Sequence, residues 1–199
     1  MCIDVKGHQE RRVQALVRPP RTRLLAFLAF LPAAVVVAGL FGALHDQISY
    51  SVSEEYFTGF KFEQFGLLEA SVPARLRASE VGFLASWWMG IPLGLLAGLG
   101  GFLQPTAAQM WRALLWSLPV ITAFALMVAL CGLLYGYSQT TSVDIADYSG
   151  WYVPERLEDM RSFLCAGYMH NAAYLGGAAA IPVAWIFHWI YRRRSIAAV

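Results

Sequence analysis

Four long runs of apolar residues, separated by short polar segments, dominate the pattern along this chain. Residues 24–44, 81–103, 113–137 and 162–191 contain no Asp, Glu, Lys or Arg. At about 1.5 Å per helical residue, each is long enough to cross roughly 30 Å of hydrocarbon. An isolated apolar segment in lipid can satisfy its backbone only through its own hydrogen bonds, so each run is predicted to be a helix. The expected architecture is an all-α, four-transmembrane-helix bundle, with outer loops at 45–80 and 138–161, a basic segment at 1–23 and a basic tail at 192–199. Within the first loop, Ile48, Tyr50 and Val52 alternate with Ser49, Ser51 and Ser53, a period of two that reads as a short strand.

Composition agrees with this class: 58% of residues are hydrophobic, 14% are charged, and the mean hydropathy is +0.50. The first apolar run exceeds the 7–15 residues of a signal peptide core and no small-x-small site follows it, so it is expected to remain as a span. Charge then sets the orientation. With the N-terminus inside, the inner segments carry ten basic and two acidic residues and the outer segments five basic and eleven acidic ones. By the positive-inside rule both termini are expected to be cytoplasmic, with two acidic loops outside. Trp111, Trp116, Trp185 and Trp189 toward one boundary, and Trp87, Trp88, Trp151 and Tyr152 toward the other, suit two aromatic belts.

Gly90, Gly94 and Gly98 recur every fourth residue, and Gly176 and Gly177 lie on the last span. Such stripes let helix backbones approach closely, here within the bundle or in contact with a second copy or another membrane subunit. Cys131 and Cys165 read as packing residues, and the absence of CxxC speaks against a thiol-oxidising enzyme. There is no phosphate-binding glycine loop, nucleophile elbow or basic nucleic-acid patch.

Chemistry-bearing groups concentrate just after the first span, in HDQISYSVSEEYFTGFKFEQF from His45 to Phe65. The spans offer only His170 and His188 as titratable candidates for a buried site, and His188 sits beside Trp189 and the Arg192 to Arg194 cluster, at the expected inner boundary. Counting about 20 residues outward from Trp189 brings His170 to the level of His45. His170 and Tyr174 share a helix face, with Asn171 turned about 100° away. His45, Asp46, His170 and either Glu54 or Glu55 could therefore form a site for zinc or another divalent metal, with an open position for water. Two imidazoles on separate helices could instead hold a haem. Gln47, Tyr56, Asn171 and Tyr174 would complete a polar site for an organic ligand. The plainer reading is that His45 and Asp46 end the first span among headgroups while His170 bonds a neighbouring helix. Phe57, Phe60, Phe62, Phe65, Leu67 and Leu68 suit a segment lying on the membrane or folded back over the bundle.

The order HDQIS, EYF, a two-Trp glycine-rich helix and a late His-x-x-x-Tyr helix resembles a group of uncharacterised bacterial multi-pass inner-membrane proteins with an HDQ(I/V)…EYF signature after the first span. The resemblance runs from the first span onward. It implies a bacterial inner-membrane location and brings no activity, ligand or partner. The leading expectation is a binding, assembly or accessory protein with a polar site at the periplasmic mouth of the bundle. The competing one is a metal-dependent enzyme or redox subunit with Glu54 or Glu55 as third ligand or general base, and the third is an oligomeric small-solute transporter.

Overall fold

The computed structural model describes residues 20–142 and 145–197, so the basic segment expected at 1–23 lies almost wholly outside the described residues, as does Asp144. Every regular element among the described residues is helical. Helix α1 spans Pro20–Val52, followed by a π-helical turn at Phe57–Lys61 and the short α2 at Phe62–Phe65. Then come α3 (Ala74–Ser86), a 3-10 turn at Trp87–Met89, α4 (Gly90–Gly98) and a second 3-10 turn at Leu99–Leu103. Helix α5 (Ala107–Gln139), a 3-10 turn at Ile145–Tyr148 and α6 (Met160–Ala197) complete the chain. Four helical stretches, 21–52, 74–103, 107–139 and 160–196, are long and apolar enough to cross a membrane.

All four expected helices are present, and each extends beyond its uncharged run. The largest difference falls on α1, which continues through His45, Asp46 and Gln47 to Val52. The segment expected as loop and short strand is the last two turns of a helix. Its alternation of serines with Ile48, Tyr50 and Val52 is compatible with helix because Ser49 and Tyr50 turn inward while Ser51 faces out and returns its hydroxyl to Gln47 O at 3.0 Å. The second span is segmented. Pro92 lacks an N–H and its ring crowds the carbonyl four residues earlier, at Trp88, which accounts for the 3-10 turn at Trp87–Met89. Caps fix the starts of the later helices: Thr106 Oγ1 accepts from Gln109 N at 3.2 Å, and Asp159 accepts from Ser162 N and Oγ at 3.0 and 2.6 Å.

Helices α5 and α6 form the most extensive pair, and α1 packs chiefly on α3. The glycine stripe belongs to this packing. A Cβ at Gly90 would stand 2.5 Å from Val35 Cα, one at Gly94 2.9 Å from Ala34 Cβ and one at Gly98 2.8 Å from Phe27, all on α1. Gly176 instead abuts Ala125 and Val128 of α5, and Gly177 meets Leu93. The stripe is thus filled within the chain rather than left open for a second copy, and it faces α1 rather than the glycines of the last span. The tightest approach was not singled out in the sequence: Gly42 and Gly82 bring α1 and α3 so close that a Cβ on either would collide with the other's carbonyl.

The segment after α1 folds back over the bundle end. Phe57 and Phe62 are buried with Tyr50, Tyr56, Phe163 and Leu164 in one cluster, while Gly66, at φ 69°, ends α2 in a left-handed turn. The π-helical turn is closed by Phe62 N–H to Phe57 O. It turns Tyr56, Phe57 and Lys61 toward α6.

Candidate functional site

Three side chains from two helices converge beneath this cap. The extra turns of α1 carry His45 and Asp46, and α6 contributes His170 about three turns after its start. His45 Nδ1 lies 2.9 Å from Asp46 Oδ1, and His170 Nε2 lies 3.6 Å from the same oxygen. The two imidazole rings meet edge to face with centroids 4.7 Å apart. The side chains of His45 and Asp46 are 4% and 3% exposed and that of His170 11%, so the carboxylate is held almost entirely out of solvent.

One potential ligand atom from each residue falls within 4.8 Å of the others. In a tetrahedral site with bonds near 2.1 Å, ligand atoms stand about 3.4 Å apart. The 2.9 and 3.6 Å separations from Asp46 Oδ1 lie either side of that spacing, while the widest separation in the group, up to 4.8 Å, would have to close on binding. Two further atoms point to an unfilled role: His45 Nε2 and Asp46 Oδ2 are buried with no hydrogen-bond partner among the described residues. A buried acceptor left in that state costs about 1–3 kcal/mol, and more when charged. His170 Nε2 has a partner, Ser49 Oγ at 3.1 Å, from the next turn of α1. Tyr56 stacks on the His170 ring at 4.8 Å and an interplanar angle of 29°, fixing its plane.

Around the triad the expected residues divide. Glu54 accepts from Tyr50 Oη at 2.6 Å and is exposed. The carboxylate of Glu55 takes the backbone N–H groups of Glu158 and Asp159, each at 2.8 Å. Neither acid belongs to the cluster, because the cap turns both outward and each meets a donor there. Gln47 also leaves it: on the opposite face of α1, its Nε2 donates to Arg75 O at 2.7 Å and Ser79 Oγ at 2.9 Å. The haem arrangement does not fit, since axial imidazoles must stand on opposite faces of a porphyrin. Here they touch edge to face, with Asp46 in reach of both.

Two chambers adjoin the triad. The first, of about 120 Å³, runs down the bundle centre from His45, Asp46 and His170 past Phe41, Leu118 and Ala173 to Ala97 and Ile181. The second, of about 270 Å³, lies under the cap between Tyr56, Lys61, Trp151, Tyr152 and Asn171. His170 and Tyr174 line both. Thus Tyr56, Asn171 and Tyr174 do border the site, although none joins the three converging groups. Burial holds the Tyr56 phenol well above its ordinary value, with Tyr174 and Asp46 adding to the effect, so it stays protonated.

Ser49 and Lys61 were not singled out from the sequence. For Ser49 the signal is a helical one, since it lies four residues after His45, on the same face, once the helix is known to continue; Lys61 lies on the π-helical turn and has no such signal. His188 differs from its expected boundary position. It is fully buried, with both ring nitrogens unpartnered among the described residues, and its carbonyl accepts from Gln104 Nε2 at 3.0 Å. Cys131 and Cys165 are free. Comparison with protein-family profiles, with curated proteins and with solved structures finds no match for this chain.

Proposed function

We propose that this chain is a metal-binding protein of the bacterial inner membrane, with four spans, both termini cytoplasmic and one divalent transition metal held by His45, Asp46 and His170 at the periplasmic mouth of the bundle. The charge asymmetry between the two sets of loops supports the orientation, and the HDQIS and EYF resemblance supports the location. The observation that carries the metal is the convergence of two imidazoles and one carboxylate within 4.8 Å, combined with buried, unpartnered atoms on His45 and Asp46.

Two nitrogens and one oxygen suit zinc, and equally a two-histidine, one-carboxylate iron(II) site, both of which leave positions free for water or another ligand. The chambers on either side of His170 give those positions room. Binding is favoured over hydrolysis because Glu54 and Glu55, the acids nearest in sequence for a general base, are engaged elsewhere.

Elemental analysis of protein purified in detergent without chelator tests this reading. Close to one metal per chain is expected, with loss in His45→Ala and His170→Ala and retention in Glu54→Gln. Folded wild-type protein without stoichiometric metal would overturn it.

A further inference from the structure

The metal reading leaves Lys61 without a role and uses only the ends of the two chambers nearest His170. Lys61 stands in the wall of the chamber under the cap, with its ammonium 4.4 Å from the Phe60 ring centroid and 5.5 Å from that of Tyr56. Its hydrogen bond goes to a neutral group, Gln64 Oε1 at 2.9 Å, and no carboxylate lies within ion-pair distance among the described residues. A half-buried cation without an acid is costly, and a buried charge is ordinarily paired. Burial pushes the Lys61 ammonium below its ordinary value, while the Asp46 charge pulls the other way. The remaining wall is aromatic and polar, with Trp151, Tyr152 and Asn171, a composition suited to a headgroup.

The central chamber has the opposite character. All four spans wall it, and small residues such as Ala38, Gly94 and Ala173 keep its centre open. Between Ala34 and Asp46 it follows α1 for about 18 Å at 1.5 Å per residue. Its titratable groups, His45, Asp46, His170 and Tyr174, gather at the triad end. His170 and Tyr174 line both spaces, so the two adjoin at these side chains, and a molecule lying across them would have its two ends in different surroundings.

We propose that the two chambers form one site for a single amphiphile, with an anionic headgroup, phosphate or carboxylate, over Lys61 and one apolar chain running past His170 and Tyr174 into the bundle. The charge of Lys61 selects the head and the apolar central chamber selects the chain. This site goes beyond the metal reading and does not depend on it.

Native mass spectrometry of the full chain in a neutral detergent tests it, using decyl phosphate, decanoate, decanol and inorganic phosphate as probes on chelator-treated and zinc-loaded samples. One anionic amphiphile should bind per chain in both samples, and the stronger of decyl phosphate and decanoate identifies a phosphate or a fatty-acid source. Decanol and inorganic phosphate should each bind at least about tenfold more weakly, and Lys61→Ala should weaken the amphiphile by a similar factor while Lys61→Arg retains it. Decanol binding as well as the anions, or Lys61→Ala binding like wild type, would overturn the headgroup assignment. Inorganic phosphate binding as well as decyl phosphate would overturn the chain assignment. Amphiphile binding to protein that takes up no metal would support this proposal while defeating the metal reading; metal uptake without amphiphile binding would do the reverse.

Discussion

Glu55 accepts the backbone N–H of Asp159 at 2.8 Å, and through its second oxygen that of Glu158, so a residue just beyond the first span grips the chain just before the last. These are charge-assisted bonds to groups that would otherwise be left open near the start of α6. The clamp sets the height of α6 against α1, and hence of His170 against His45. Glu55→Gln, which keeps one acceptor and loses the charge, should lower stability by about 1–2 kcal/mol. Thermal unfolding in detergent measures this, and metal affinity should fall with it because the ligands are no longer held at one level.

The bond from Ser49 to His170 separates a metal site from a purely structural network. If the network were structural, Ser49→Ala would only remove a hydrogen bond and cost about 1 kcal/mol. In a metal site, His170 Nε2 must leave Ser49 Oγ to reach the ion, so the substitution removes a competitor. Zinc affinity of Ser49→Ala, by competition with a chromophoric chelator, is expected to equal or exceed that of wild type. A fall of more than about tenfold would place Ser49 among the groups that hold the metal.

Close helix contact gives a graded test at three glycines. Gly42→Ala puts a methyl group into the Gly82 carbonyl on α3, where backbone faces backbone, and should cost well over 2 kcal/mol or prevent folding. Gly66→Ala meets no neighbour but must hold φ at 69°, for about 1–2 kcal/mol. Gly150→Ala meets no neighbour either and has no positive φ, so it should be close to neutral. Thermal shifts in one detergent rank the three.

Much of this architecture could be read from hydropathy because lipid imposes a strong length rule, and the four uncharged runs mark the four spans. Element ends were harder. A charge-free run ends where lipid ends, whereas a helix ends where its backbone finds other partners, so α1 runs on to Val52 through residues that resemble a loop. That extension is what puts Ser49 on the same face as His45. The pairing of His45 with His170 was accessible from depth counting. The removal of Glu54 and Glu55 was not, since it depends on how the π-helical turn aims the cap and on which backbone donors α6 presents. Glycine spacing showed that helices approach closely but not which partner they meet, and the partner of Gly90 proved to be α1.

At the start of α6, hydrogen bonds from Ser162 hold the Asp159 carboxyl below its ordinary value of 3.8. The folded value lies below the unfolded one, so the stabilisation is complete above about pH 4 and is lost as pH falls through the lower folded value. Asp159→Ala should cost about 1 kcal/mol at neutral pH as a lost N-cap. The difference from wild type should shrink below the carboxylate range, and unfolding midpoints at neutral and strongly acidic pH check the sign.

Cobalt(II) titration of chelator-treated protein, followed by visible absorption, tests the metal site most directly, because ligand-field bands report both stoichiometry and coordination. Bands that saturate at one equivalent and disappear in Asp46→Asn and His170→Ala, with Glu54→Gln unchanged, are the expected result. Absence of a saturable band in folded protein, or bands of equal strength in His170→Ala, would contradict a metal held by His45, Asp46 and His170.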